Sequence, residues 1–190
     1  MRGGDWIELE EPRVPPGSGR QLGLFARAMV PVIRRQSRGR TVNIFATLGR
    51  NKRFFRPWLM FAGRLMPRGT LPRADTELVI LRTAINCRAR YEWEQHQSIA
   101  RRAGLTDADI DRLEQGPDAE GWSEQQSAVL AVVDELHANR FVSDAAWEAA
   151  SKHFTAEQML ELCMLTGHYE MVAMTLNSAG IQVEDKLLNR

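Results

Sequence analysis

Apolar residues recur at helical intervals along most of the chain, and no stretch alternates strictly enough to read as a strand. Leu22, Phe25, Ala26, Met29, Val32 and Ile33 predict a helix over 21–35, weakened by Pro31. A second helix is expected over 54–66, with Pro57 in its first turn, where a missing N–H costs nothing. Pro67, Gly69 and Pro72 then interrupt the pattern. Asp75 or Thr76 can cap a helix carrying Glu77, Leu78, Leu81, Ala84 and Ile85. After a break near 87–90, a helix bearing Glu92 and His96 runs to about Ala103, where Gly104 supplies a stop. Thr106 with Asp109 and Thr155 with Gln158 resemble capping boxes, and Ser123 and Ser143 or Asp144 are further caps. The Ser123 helix presents Leu130, Val133 and Leu136; the Thr155 helix presents Met159, Leu162, Cys163, Leu165, Met171 and Leu176 before Gly180. The expected fold is all-α.

Residues 1–20, with four prolines and glycines between Pro12 and Gly17, read as an extended arm that packs only if something receives it. The remainder, 21–190, is expected to form one helical domain with a core over about 57–183 and a basic helical extension over 21–56. Charge changes this picture more than composition does. Fourteen of the twenty-five basic residues fall between Pro12 and Ala74, a stretch without a single acid, so the chain is basic in front and acidic behind. Because those arginines are interleaved with Phe25, Val30, Ile33, Phe54, Trp58 and Phe61, the segment does not read as a solvated nucleic-acid tail. Docking onto the acidic remainder or a neighbouring subunit, or meeting an anionic substrate, is the expected use. No apolar run approaches the roughly 20 residues of a membrane helix, and the acidic opening is unlike an export signal, so a cytoplasmic address is expected. Two distant cysteines, Cys87 and Cys163, support neither a disulfide framework nor a zinc cluster.

The candidate chemistry lies in Tyr91-Glu92-Trp93-Glu94-Gln95-His96. A four-residue step stacks Glu92 and His96 on one helix face, and Glu77 sits upstream in an apolar run where an acid needs a partner. A carboxylate on one imidazole nitrogen fixes the tautomer, which suits general acid/base catalysis. Two carboxylates and a histidine also imitate a metal site, but the spacing is not His-Glu-x-x-His; neither metal nor cofactor is expected. His168 and Tyr169 form a second polar knot on an apolar helix, either core hydrogen-bonders or pocket lining, whereas His137 and His153 read as surface residues.

Glu77-Leu-Val-Ile-Leu-Arg-Thr-Ala, then Cys87, Tyr91-Glu-Trp-x-x-His96 and Ala103-Gly-Leu-Thr, then Leu162 and Gly167-His-Tyr-Glu-Met resemble the carboxymuconolactone decarboxylase family, which includes the alkylhydroperoxidase-D-like peroxidases. The resemblance implies packed helices assembled as a homotrimer or homohexamer, with active sites close to subunit interfaces. It aligns His96 with the histidine that closes the peroxidase Cys-x-x-Cys-x-x-x-His motif, and Glu77 with the glutamate feeding its proton relay. The two redox cysteines would fall at Ala89 and Glu92, so a thiol–disulfide cycle cannot transfer intact. What it implies instead is lyase-type proton transfer on a small carbonyl or carboxylate compound, an anionic one included, with Glu77, Glu92 and His96 as the catalytic set. Tyr91, Trp93, His168 and Tyr169 are the expected pocket residues, and Arg82, Arg88 or Arg90 the holder of a substrate carboxylate. The alternatives are a peroxidase using Cys87 alone and a non-catalytic oligomeric scaffold that binds a ligand.

Overall fold

The computed structural model describes residues 5–39 and 42–185; the first four residues of the expected arm and the last five of the expected domain lie outside them. Nine α-helices and two short 3-10 turns, and no strand, occur among the described residues. They are α1 (Leu24–Gln36), α2 (Asn43–Leu48), α3 (Phe55–Leu65), α4 (Arg73–Asn86), α5 (Arg90–Ala103), α6 (Asp107–Arg112), α7 (Glu124–Asn139), α8 (Asp144–Ser151) and α9 (Ala156–Ala179).

The fold is organised around α4, which packs on α5, α7 and α9. Its run Leu78-Val79-Ile80-Leu81 is apolar all round, so every face must be covered, and all four residues are fully buried. Val79 and Ile80 join a core with Val129, Val132, Val133, Leu162 and Leu165. Leu78 and Leu81 turn the other way, onto Ala100, Leu105, Ile110, Leu113 and Leu130. Local chemistry sets most helix ends. Thr106, Ser123 and Thr155 form reciprocal capping boxes, the Ser143 side chain accepts from Ala146 N–H, and Gly104 and Gly180 close α5 and α9 at φ +106° and +68°.

Two helices depart from the sequence pattern. Pro31 does not end α1, which runs on to Gln36; the carbonyl the proline leaves unbonded belongs to exposed Arg27 and can be solvated. The helix carrying Glu77 begins at Arg73, not after Asp75 or Thr76. Pro72 stands at its N-cap, Asp75 favours the positive end of the helix dipole from inside the first turn, and the Thr76 hydroxyl donates to Pro72 O at 3.2 Å. The short helix α2 has no strong sequence signal.

The basic extension docks through a third core. Leu22, Ala26, Val30, Phe55 and Trp58 meet Tyr91, Val172, Leu176 and Ile181. One buried carboxylate locks this seam. Glu184 accepts from Val42 N–H and Asn43 N–H at 2.7 Å each, from the Tyr91 hydroxyl at 2.9 Å and from Gln95 Nε2 at 2.7 Å. It therefore serves orphan donors at the start of α2 and ties them to α5. Truncating it strands buried donors, so Glu184→Ala should lower unfolding free energy by about 2–4 kcal/mol in urea titrations, whereas Tyr91→Phe, which removes one bond of four, should cost about 1 kcal/mol. Equal losses would contradict this account.

Candidate functional site

The buried polar centre forms where α4, α5 and α9 meet. Glu77, in the second turn of α4, is fully buried. Its Oε2 lies 2.8 Å from His96 Nδ1 on α5, and its Oε1 lies 2.5 Å from Arg73 Nη2, one helical turn earlier. The Arg73 contact is an ion pair without hydrogen-bond alignment, while the same nitrogen donates to Met66 Sδ at 3.3 Å. Arg73 remains about a third exposed, so the guanidinium lies between the buried carboxylate and solvent. A carboxylate acceptor at Nδ1 favours the tautomer with its proton there and leaves Nε2 as the free acceptor, with the side chain 10% exposed.

Tyr169 of α9 closes the centre, its ring edge-on to His96 with centroids 5.3 Å apart. Burial, then the charges of Glu92 and Glu77, push its phenol well above the ordinary tyrosine range. Glu92 has a different role from the one its spacing suggests. It is buried on the same helix as His96, yet neither carboxylate oxygen has a hydrogen-bond partner among the described residues, and His96 is held by Glu77 instead. Burial alone raises the Glu92 carboxyl well above the usual carboxylate range, which favours its protonated form.

Other predicted residues lie around this centre with different partners. His168 sits in an aromatic box, stacked on Trp58 at 6.3 Å and edge-on to Phe61 and Tyr169 at 5.4 Å, with Nδ1 buried and unpartnered. Burial lowers its pKa to about 4, so it is neutral. The Tyr91 hydroxyl is engaged by Glu184, and Trp93 meets Trp6 of the N-terminal arm at 5.9 Å. Arg82 forks onto Asp134 at 2.7 Å through two nitrogens and donates to Leu113 O. Arg90 binds Glu8 at 2.8 Å, and Arg88 lies 3.8 Å from Asp5. Cys87 stands apart from the Glu77–His96 pair. Its Sγ is 3.9 Å from His137 Nδ1, which in turn lies 2.8 Å from Glu170 Oε1. Burial, with Glu170 and Glu92 nearby, pushes the thiol up to about 12.

Sequence reasoning missed Arg73, His137 and Glu170. Arg73 carried a signal, being four residues before Glu77 on one helix; the other two meet Cys87 only through tertiary packing.

The sequence profile of the carboxymuconolactone decarboxylase family matches residues 52–135, a span that holds Arg73, Glu77, Glu92 and His96. Beyond this family segment, the fold extends over solved structures along nearly their whole length. An uncharacterized peroxidase-related protein of Ralstonia eutropha JMP134, described as an alkylhydroperoxidase AhpD core, is 21% identical with a TM-score of 0.80, over 97% of this chain and 96% of that one. A peroxidase-related protein of Silicibacter sp. TM1040 is 12% identical with a TM-score of 0.79, over 100% and 98%. The debrominase Bmp8 in complex with 2,3,4-tribromopyrrole is 14% identical with a TM-score of 0.75, over 97% and 96%. At these identities the likeness is one of fold. No curated protein matches the chain.

Two neutral buried groups make opposite predictions about pH. His168 has its pKa lowered on folding, so the unfolded chain binds the extra proton, and stability is lost as pH falls from about 6.5 towards 4. His168→Phe should flatten that limb by up to about 3 kcal/mol, read by urea denaturation between those pH values; an unchanged slope refutes it. Glu92 has its pKa raised, so the folded chain binds the extra proton, and stability is lost as pH rises above about 4.5. Glu92→Gln should therefore gain in relative stability over wild type as the buffer is moved from pH 5 to pH 8.

Proposed function

We propose that this chain is an enzyme of acid/base chemistry, moving a proton to or from carbon in a small carbonyl or carboxylate compound as carboxymuconolactone decarboxylases are named for doing. The carrying observation is the Arg73–Glu77–His96 line. A wholly buried carboxylate, balanced by a guanidinium, grips one imidazole nitrogen and leaves the other without that partner. In a decarboxylation, the bond to the carboxylate breaks and carbon dioxide leaves. The electron pair remains as an enolate, and a proton that His96 Nε2 has taken up from solvent passes to that carbon, regenerating the neutral imidazole. Arg73 is the guanidinium best placed to meet the substrate's anionic group, because Arg82 and Arg90 already bind Asp134 and Glu8.

Assembly from copies of the chain belongs to this reading. Leu160, Met164, Gly167, Met171 and Met174 are exposed on α9 at alternating four- and three-residue steps, the spacing of a helix-packing seam. A side chain added at Gly167 would meet open space, so another helix can approach closely there.

A panel of β-keto acids and carboxylated lactones, followed by carbon dioxide release, tests the proposal. His96→Ala and Glu77→Gln should each lower turnover on any accepted compound by about 100-fold or more, with oligomeric mass unchanged by light scattering, while Cys87→Ser retains it. Full turnover in His96→Ala would overturn the assignment. Peroxide consumption lost in Cys87→Ser would favour the thiol alternative, against which the elevated thiol pKa counts.

A further inference from the structure

Cys87, His137 and Glu170 take no part in the chemistry above, yet three helices bring them to one point. Cys87 is the C-cap of α4, His137 lies in the last turn of α7 and Glu170 in the middle of α9. These three helices pack on one another through a shared core, so their relative placement is set by that core and not by loops. The Cys87 carbonyl is also tied to α9, accepting from Asn177 Nδ2 at 2.9 Å. Sγ lies 3.9 Å from His137 Nδ1, Nδ1 lies 2.8 Å from Glu170 Oε1, and all three donor atoms fall within 4.8 Å of one another.

The geometry separates two uses of such a trio. A nucleophile–base–acid relay needs the thiol on one imidazole nitrogen and the carboxylate on the other, so that a proton can pass through the ring. Here both approach the same nitrogen, which blocks that relay. Three unlike donors converging on one point is instead the arrangement of ligands around an ion.

We propose that Cys87, His137 and Glu170 form a transition-metal site, with Zn²⁺ the ion their chemistry fits. Thiolate, imidazole and carboxylate are the three protein donors zinc accepts, at bond lengths of about 2.0–2.3 Å. Tetrahedral placement at those lengths puts donors roughly 3.3–3.6 Å apart, so the trio needs to move by only about an ångström. As zinc enters, the Cys87 S–H bond breaks, its proton goes to solvent, and the sulfur pair forms the S–Zn bond. Arg140 Nη1, 3.4 Å from Glu170 Oε1 and also donating to the carbonyls of Leu136 and His137, supplies positive charge to the carboxylate without the ion. Its side chain is 63% exposed and free to swing outward. Three protein ligands leave a fourth position for water or an exogenous donor, on the side where the His137 side chain is about a third exposed. The site stands independently of any role for Glu77 and His96.

The test uses tag-free, chelator-treated full-length protein, titrated with ZnCl₂ by calorimetry and with CoCl₂ by absorption. One ion per chain is expected, with a cobalt–thiolate charge-transfer band in the near ultraviolet. Cys87→Ser should abolish the band and weaken zinc binding at least tenfold, and His137→Ala should weaken it similarly. Arg140→Ala should bind as tightly as wild type or more tightly. Cys163→Ser should leave both readouts unchanged. Absence of stoichiometric binding, a band that survives Cys87→Ser, or wild-type affinity in His137→Ala would each overturn the proposal. Should Cys87→Ser fail to fold by circular dichroism, the variant at partly exposed His137 decides the matter alone.

Discussion

A carboxylate with no access to water, Glu77 in the second turn of α4, constrains the rest of the molecule. An ionised acid in such surroundings persists only with partners, and each partner draws in another element. His96 brings α5 to one oxygen, and Arg73 holds the first turn of α4 against the other. Tyr169 seals the gap from α9 with its ring edge. The same helix carries Leu78 to Leu81, whose four faces nucleate two cores. Packing and chemistry thus share one element: α4 is rigid because it is enclosed, and the Glu77–His96 geometry is defined because α4 is rigid.

The basic front half is attached differently from what its charge suggests. Its docking onto the remainder is apolar, through Leu22, Val30 and Trp58 against Val172, Leu176 and Ile181, with Glu184 satisfying backbone N–H groups at the seam. The ion pairs described between front and back run the other way, from acidic Asp5 and Glu8 of the arm to Arg88 and Arg90 at the break before α5. The arm is received where α4 ends and α9 ends, with Ile7 N–H bonding Arg88 O and Val14 N–H bonding Ala179 O. Such an arrangement leaves much of the arginine-rich surface of α1 facing outward.

What could be read from the sequence follows from how local each determinant is. Capping at Thr106, Ser123, Ser143 and Thr155 depends on residues three apart, and the structure has every one of these caps. The start of α4 was misplaced because a proline N-cap competes with two good polar caps, and only the packed helix shows which prevails. Glu92 illustrates a subtler limit. Its four-residue step to His96 is real, yet Glu77 takes the accessible ring nitrogen from across the helix pair, and a side chain that could have been a partner becomes an unpartnered acid. Cys87, His137 and Glu170 come from positions 50 and 33 residues apart, beyond any spacing rule.

The centre keeps charge scarce, and that scarcity gives the remaining charges their force. Around His96, burial pushes Glu92, His168 and Tyr169 each toward the neutral form, because it penalises the charged one. What remains as an ion pair is Arg73 with Glu77, its carboxylate wholly buried and its guanidinium partly open to solvent. A charge developing on a molecule bound beside His96 would therefore interact mainly with this pair and with protons already held in place. That is the condition under which prearranged groups stabilise a transient anion more effectively than water, which must reorient to do so. Burial thus acts on the two carboxyls differently: Glu92, without a partner, is pushed toward its neutral form, whereas Glu77 is held between Arg73 and His96.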